Sequence, residues 1–405
     1  MDLAAKSAQY DVAPLVAPRL LSALAGPIEA ATLALARFDE RLLRAEPTLA
    51  EGQRARAHFS DAQACVALAG GLAPMEDIVL HDANMATRIA TLDVVRAASY
   101  LDLRRSIAKR EPGLLQTADR LERLLGLPVD GVTGHEPIAT IRRARSTPSS
   151  LFANDDSDED DWRAEETDES DTPADDEPES TASAFPEIEA IIAHAGRTLE
   201  AYGDLESETG RKALRLASRD SEEAERLTQW LVVAEATRRC PGVLAAAIAL
   251  DAWLWIEPAP SRSEAGLLFA ANVLRQRGIA RCHLPTLALG LRAGRFRWRR
   301  SLDSERRLSG LIEAIQSAAR LADSDLDRLT LARQLMLKKC EGKSKNSRLT
   351  QLVDLFVASP LVTIAMVATA LDISPQGVEA LLKDLGSSLP REMTGRKRYR
   401  AWGIV

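Results

Sequence analysis

The chain has 405 residues, of which 46% are apolar and 4% aromatic, and its formal net charge is −7. That length exceeds one ordinary hydrophobic core, so two or three domains are expected, and the excess of Ala, Leu, Arg and Glu over sheet-forming residues predicts a mainly α fold. Four scattered cysteines (Cys65, Cys240, Cys282, Cys340) form no C-x-x-C pair, which excludes the usual zinc and redox motifs and predicts free, buried thiols in a reducing cytoplasm.

The opening residues, MDLAAKSAQYDVAPLV, contain no apolar run, so no signal peptide is expected. PIEAATLALARFDERLLRA then places Ile28, Leu33, Leu35, Phe38, Leu42 and Leu43 on one helical face. A second helix over AEGQRARAHFSDAQACVALAG stops at Gly70–Gly71. A short helix near PMEDIVLHDANM, a longer one at TLDVVRAASYLDLRRSIAKRE and a leucine-rich one at GLLQTADRLERLLGL complete an N-terminal helical domain, residues 1–145.

Residues 146–184 read as an acidic disordered linker. Asn154–Ser180 carries fifteen acidic residues against Arg163 alone, has no apolar period and contains prolines. Without that segment the chain holds 51 basic and 44 acidic residues, a balance of +7. The acidity is therefore local. The segment serves as a solvated tether or as a polyanion competing for basic surface.

Helices resume in a second helical domain, residues 185–342. FPEIEAIIAHAGRTLEAYGDL comes first, then SEEAERLTQWLVVAEATRRC, which Pro241 stops. VLAAAIALDAWLWI is fourteen apolar-rich residues containing Asp251, short of the roughly 18 that cross a bilayer, so it reads as a buried core helix. A proline-bearing turn, EPAPSRSEA, precedes GLLFAANVLRQRG, and HLPTLALGLRAG leads to the basic turn RFRWRR, residues 295–300. In that turn Phe296 and Trp298 either stack on nucleic acid or anchor a surface loop. SERRLSGLIEAIQSAARLADSDLDRLTLARQLMLKKC is one long amphipathic helix or a helix pair, and EGKSKNS is a polar hinge.

Residues 343–405 have the pattern of a winged helix-turn-helix. SRLTQLVDLFVASP is one helix, TIAMVATALDI a second with Thr363 as N-cap, and SPQGVEALLKDLG a third. The third starts at Ser374 as N-cap with Pro375 in the first position, where a missing N–H is harmless. Ala368 is the small packing residue, and Val378 and Leu381 are the inward anchors. Asp372 stands where such turns often carry Gly, and Asp tolerates the left-handed region better than most residues. A hairpin follows around Thr394–Gly395, with Tyr399, Trp402 and Ile404 inward and Arg398 and Arg400 outward. Arg391, Arg396, Lys397, Arg398 and Arg400 offer positive charge to phosphates, and Gln376 and Lys383 are the base-reading candidates on the third helix.

The segments LARFDERL, EDIVLHDANM, LAAAIALDAWLWIEP, HLPTLALGLR, LDRLTLAR and REMTGRKRYRAWGIV together resemble a bacterial, largely rhizobial, family of helical proteins of unknown function with a C-terminal helix-turn-helix DNA-binding domain. The resemblance implies architecture rather than mechanism. WIEPAPSRSEAGLL, residues 255–268, is more distantly similar to the catalytic loop of Fic-domain nucleotidyl transferases, HPFxxGNGRxGR. Trp255 stands at the place of the catalytic His and Glu257 at that of the Phe. Pro260 and Arg262 replace glycines, Ser263 replaces the phosphate-binding Arg, and Ala69 falls where an inhibitory Glu would sit. That resemblance implies a core retained without its catalysis.

His58, His81, His135, His194 and His283 show no metal-ligand spacing, and His81, Asp82 and Asn84 read as a capping cluster. No glycine-rich phosphate loop is present. The expectation is a cytoplasmic, non-enzymatic DNA-binding regulator of transcription or of plasmid or genome maintenance. It has no cofactor, metal or catalytic residue; its partners are DNA and a second copy of the chain as homodimer, with no membrane. The alternatives are a protein-interaction scaffold and a divergent Fic-like nucleotidyl transferase.

Overall fold

The computed structural model describes residues 10–86, 88–114, 117–125, 222–294, 296–341, 347–395 and 400–404. The predicted acidic linker and the helix expected at FPEIEAIIAHAGRTLEAYGDL lie outside them. Among the described residues the chain is mainly helical: α1 (Pro18–Arg44), α2 (Pro47–Leu68), α3 (Met75–Asp82), α4 (Leu92–Lys109), α5 (Ala118–Leu125), α6 (Glu222–Ala236), α7 (Gly242–Ile256), α8 (Ala265–Gln276), α9 (Leu287–Ala293) and α10 (Ser304–Lys338). α11 (Leu349–Ala358), α12 (Ile364–Leu371) and α13 (Pro375–Leu385) follow, with three short strands, β1 (Val362–Thr363), β2 (Arg391–Glu392) and β3 (Ala401–Gly403). The helices before residue 126 and those after residue 221 belong to one compact unit.

α10 is the axis of that unit. It is one continuous helix of 35 residues rather than a pair, begun by Asp303, whose carboxylate accepts the Arg306 N–H at 2.9 Å. α1, α7, α9, α2 and α11 all pack on it. Gly290 brings α9 against α10 so closely that a Cβ there would collide with the Ala314 carbonyl oxygen. α7 is apolar on every side, and Val243 to Trp253 are all buried, as expected of a central helix. Trp230, Trp253 and Phe269 meet beside it with ring centroids 5.2–5.6 Å apart.

Three buried carboxylates tie distant segments together. Asp251 of α7 accepts from Arg307 Nε at 2.9 Å, Trp298 Nε1 at 2.6 Å and the Tyr10 hydroxyl at 2.8 Å. Burial and the Asp251 charge push the Tyr10 phenol far above its usual range, so it stays a donor. Asp61 of α2 accepts from Arg104 at 2.7 Å, the Tyr100 hydroxyl at 2.9 Å and the Leu289 N–H at 3.2 Å. Burial pushes its carboxyl up, while Arg104 and these hydrogen bonds pull it down. Arg104 also donates to the carbonyls of Leu284 and Pro285, fixing the entry to α9. Asp39 of α1 accepts the Cys282 N–H at 2.8 Å and lies 3.1 Å from His283 Nδ1. Burial opposes its charge, but the hydrogen bonds from His283 and the backbone win and hold it at about 2. Burial keeps His283 neutral, so Nδ1–H is the donor.

Some local expectations change in the fold. α1 starts at Pro18 and runs through Pro27, where the sequence pattern places its beginning. The carbonyl that Pro27 leaves without its intrahelical partner is that of Ala23, an exposed residue open to solvent, while the added turns bury Leu20 and Leu24. Leu33 and Leu43 point outward at 46% and 58% exposure, and the buried stripe is Leu35, Phe38 and Leu42. α1 is long and apolar enough to span a bilayer by composition, yet this stripe is part of the core against α10. Of the four thiols only Cys65 is buried; the other three are half-buried.

Candidate nucleic-acid interface

The last segment builds a helix-turn-helix from local signals that act as their chemistry demands. Thr363 Oγ1 accepts the Met366 N–H at 3.1 Å to start α12, and Ser374 Oγ accepts the Gly377 N–H at 3.2 Å to start α13. Between them Asp372 takes the left-handed conformation, φ 50° and ψ 59°, and the Ile373 N–H closes on the Ala368 carbonyl at 3.1 Å. Asp372 thus performs the turn where Gly is the commoner choice.

Val378, Leu382 and Leu385 are the buried anchors of α13, facing Val367 and Leu371 of α12. Leu381, expected as an inward anchor, is half-buried at the edge of this core, as is Ala368. The 3.6-residue period explains the shift: Leu382 is four residues from Val378 and directly in line with it. Gln376, Glu379, Ala380, Lys383 and Asp384 are exposed on the opposite face.

β2 and β3 form the hairpin, and β1 pairs with the other edge of β3, giving the antiparallel order β1-β3-β2. Val362 pairs with Trp402 and Arg391 with Gly403. Trp402 is buried and Ile404 half-buried, as the sequence implied, while Tyr399 and the basic tip Arg396, Lys397 and Arg398 lie outside the described residues. Arg400 stacks over Trp402 at 4.9 Å and donates to Glu392 at 2.8 Å, a bond that raises its pKa. Arg391 pairs with Glu76 of α3 at 2.6 Å and is 73% exposed. Both cations therefore reach solvent with a carboxylate already beside them.

The module does not hang free. Its apolar residues Leu352, Val353, Phe356 and Val357 share a core with Phe38 and Leu42 of α1 and Leu326, Leu329 and Met336 of α10. Arg56 of α2 donates to the carbonyls of Val357 at 2.6 Å, Phe356 at 2.8 Å, Ser359 at 2.9 Å and Ile404 at 2.7 Å. These are the open carbonyls at the end of α11 and the carbonyl just beyond β3, so one guanidinium joins both parts of the module to the body. Burial pushes its pKa down to about 10. Gly52, one turn earlier, lies so close that a Cβ would collide with the Val357 carbonyl oxygen. Arg333 of α10 adds bonds to Asp354 at 3.1 Å and Glu46 at 2.8 Å. Neither Gly52 nor Arg56 stood out in the sequence; the only local signal is a glycine one turn before an arginine.

The end of the chain, residues 349–405, matches the HTH DNA binding domain, and residues 216–341 match a protein of unknown function, DUF1612. Uncharacterized protein y4cF of Sinorhizobium fredii (strain NBRC 101917 / NGR234) is 32% identical over 406 residues, covering 98% of this chain and 100% of its own. The chain belongs to the DUF1612 family with a C-terminal helix-turn-helix DNA-binding domain. In this DUF1612 protein α12 and α13 are two helices of the matched helix-turn-helix domain.

Other clusters are structural in their contacts. Asp82 pairs with Arg105 at 2.7 Å, and Asn84 ends α3 with φ 56°. In the loop between α7 and α8, Trp253 Nε1 donates to the Ser263 carbonyl at 2.9 Å, and Arg262 donates to Ser99 Oγ at 2.7 Å. Trp298 is tied to Asp251 through its ring N–H, and Phe296 packs on Gly310, where a Cβ would collide with its ring. The aromatics of RFRWRR are anchors rather than stacking platforms.

Proposed function

We propose that the protein is a sequence-dependent DNA-binding regulator, acting in transcription or in plasmid or genome maintenance within the cytoplasm. The observation that carries this reading is the division of α13: one face is locked in the shared core and the other, with Gln376 and Lys383, is open to solvent. The strand order after α13 supports a winged helix, in which Arg396, Lys397 and Arg398 on the wing, with Arg391 and Arg400 beside them, position the module on phosphates. Gln376 suits adenine and Lys383 guanine in the major groove. No catalytic residue or cofactor enters this reading. The helical body would hold two modules over paired half-sites as a homodimer.

Genome-wide occupancy of the tagged protein, beside an Arg396/Lys397/Arg398→Ala variant, tests the proposal. Discrete peaks with a shared two-fold motif, lost in the variant, are expected. A folded, expressed protein without peaks would transfer the argument to a protein-interaction scaffold.

A further inference from the structure

The segment from residue 292 to 306 holds six arginines and two acids, Asp303 and Glu305. In the fold its centre is a turn between α9 and α10 held from beneath. Trp298 Nε1 donates to the buried Asp251 at 2.6 Å, and the Phe296 ring sits where Gly310 leaves no room for a side chain. The same Asp251 is bound by Arg307, so the turn and the start of α10 share one buried anchor. Arg300 stacks over Trp255 at 4.8 Å and donates to the Trp255 carbonyl.

The arginines this scaffold presents are Arg292, Arg297, Arg299 and Arg300, all exposed. Among the described residues none of the four forms an ion pair with a carboxylate. Arg297 donates only to the carbonyls of Phe296 at 3.0 Å and Gly294 at 3.4 Å. Nearby Asp303 is engaged in capping α10 and pairing with Arg306 at 3.5 Å, Glu305 lies on the first helical turn, and Glu257 ends α7. Elsewhere some exposed cations do have acid partners, as Arg41 has Asp323 and Asp327. Concentrated positive charge on a backbone that cannot collapse away suits a polyanion of regular spacing.

Position adds the second argument. The turn lies at the N-terminal end of α10, whereas the helix-turn-helix docks near Arg333 and Met336 at the other end. At about 1.5 Å per residue the two surfaces are separated by roughly 35–50 Å along the helix, on the order of one helical turn of duplex or somewhat more. We infer that Arg292 at the end of α9 and Arg297, Arg299 and Arg300 on the turn that follows form a second, sequence-independent contact with the phosphate backbone of DNA. It rests on the DNA-binding reading above. The base-reading module would choose the site, and the arginine turn would add affinity without sequence preference.

The test uses the full chain and a 40-base-pair duplex of arbitrary sequence, with binding followed by anisotropy across a salt series. Arg292, Arg297 and Arg299 are changed together to Gln; Arg300 is left because it packs on Trp255. The expected result is a loss on the order of tenfold at low salt, with the slope of log K against log salt shallower by about 2–3, and recovery in the matching triple Lys variant. Unchanged affinity and slope in the folded Gln variant, or no recovery with Lys, would overturn the inference while leaving the helix-turn-helix reading intact. Failure of the unaltered protein to bind any duplex would instead remove the reading on which it rests.

Discussion

Asp251 sits on the central helix with donors from three separate segments, Tyr10, Trp298 and Arg307. A lone carboxylate in that apolar surrounding would be very costly, so its partners are held by what they neutralise. Arg307→Ala leaves the charge without its cation and is expected to destabilise the protein by about 3–5 kcal/mol in a denaturant titration. His58 gives the fold an acid limit. Burial, reinforced by Arg104, Arg105 and Lys109, holds its pKa at about 3, against 6.5 for an ordinary histidine. The unfolded chain therefore binds a proton that the folded chain refuses, so the stability that His58 contributes is fully present above pH 6.5 and is lost as the pH drops towards 3. His58→Gln is expected to flatten that decline in melts recorded from pH 7 to 4; an unchanged slope would contradict the assignment. Asp372 makes the opposite case, a residue bearing backbone strain with φ at 50°. Asp372→Gly is expected to stabilise by about 1 kcal/mol, and Asp372→Val to destabilise, as read from melting temperatures.

Helices α12 and α13 were legible in the sequence because everything that defines them is local: Thr363, Ser374 and Pro375 lie within one turn of the groups they serve. α7 was legible for a similar reason, since a run apolar on all sides has only the core to occupy. The beginning of α1 was not. Pro27 is a strong local stop, and only the burial of Leu20 and Leu24 against other elements overrides it. Nor was the docking of α11 on α2 legible, because Arg56 meets carbonyls some 300 residues away in sequence. At that contact the smallest change should be felt. Gly52→Ala puts a methyl group against the Val357 carbonyl, so α2 and α11 must separate. A loss of about 1–3 kcal/mol is expected, together with earlier proteolytic cleavage near α11; an unaffected melt would mean that the helices have room to slide.

On the scale of the molecule, the helix-turn-helix is an extension of the body's core, continuous with α1 and α10. Arg56 and Arg333 tie it to the helical body, so the pose of α13 is set by contacts with α2 and α10. The sequence alone suggests separate domains on either side of residue 342, because the joining residues are spread over α1, α2 and α10 and carry no local signal. The central claim is that the open face of α13 reads DNA. Selection of bound duplexes from a random pool, with the unaltered protein and with Gln376→Ala/Lys383→Ala, tests it most directly. The account predicts one enriched sequence for the unaltered protein and loss of that enrichment in the variant, with weak, salt-sensitive binding retained. Equal enrichment by both, or none by either, would contradict it.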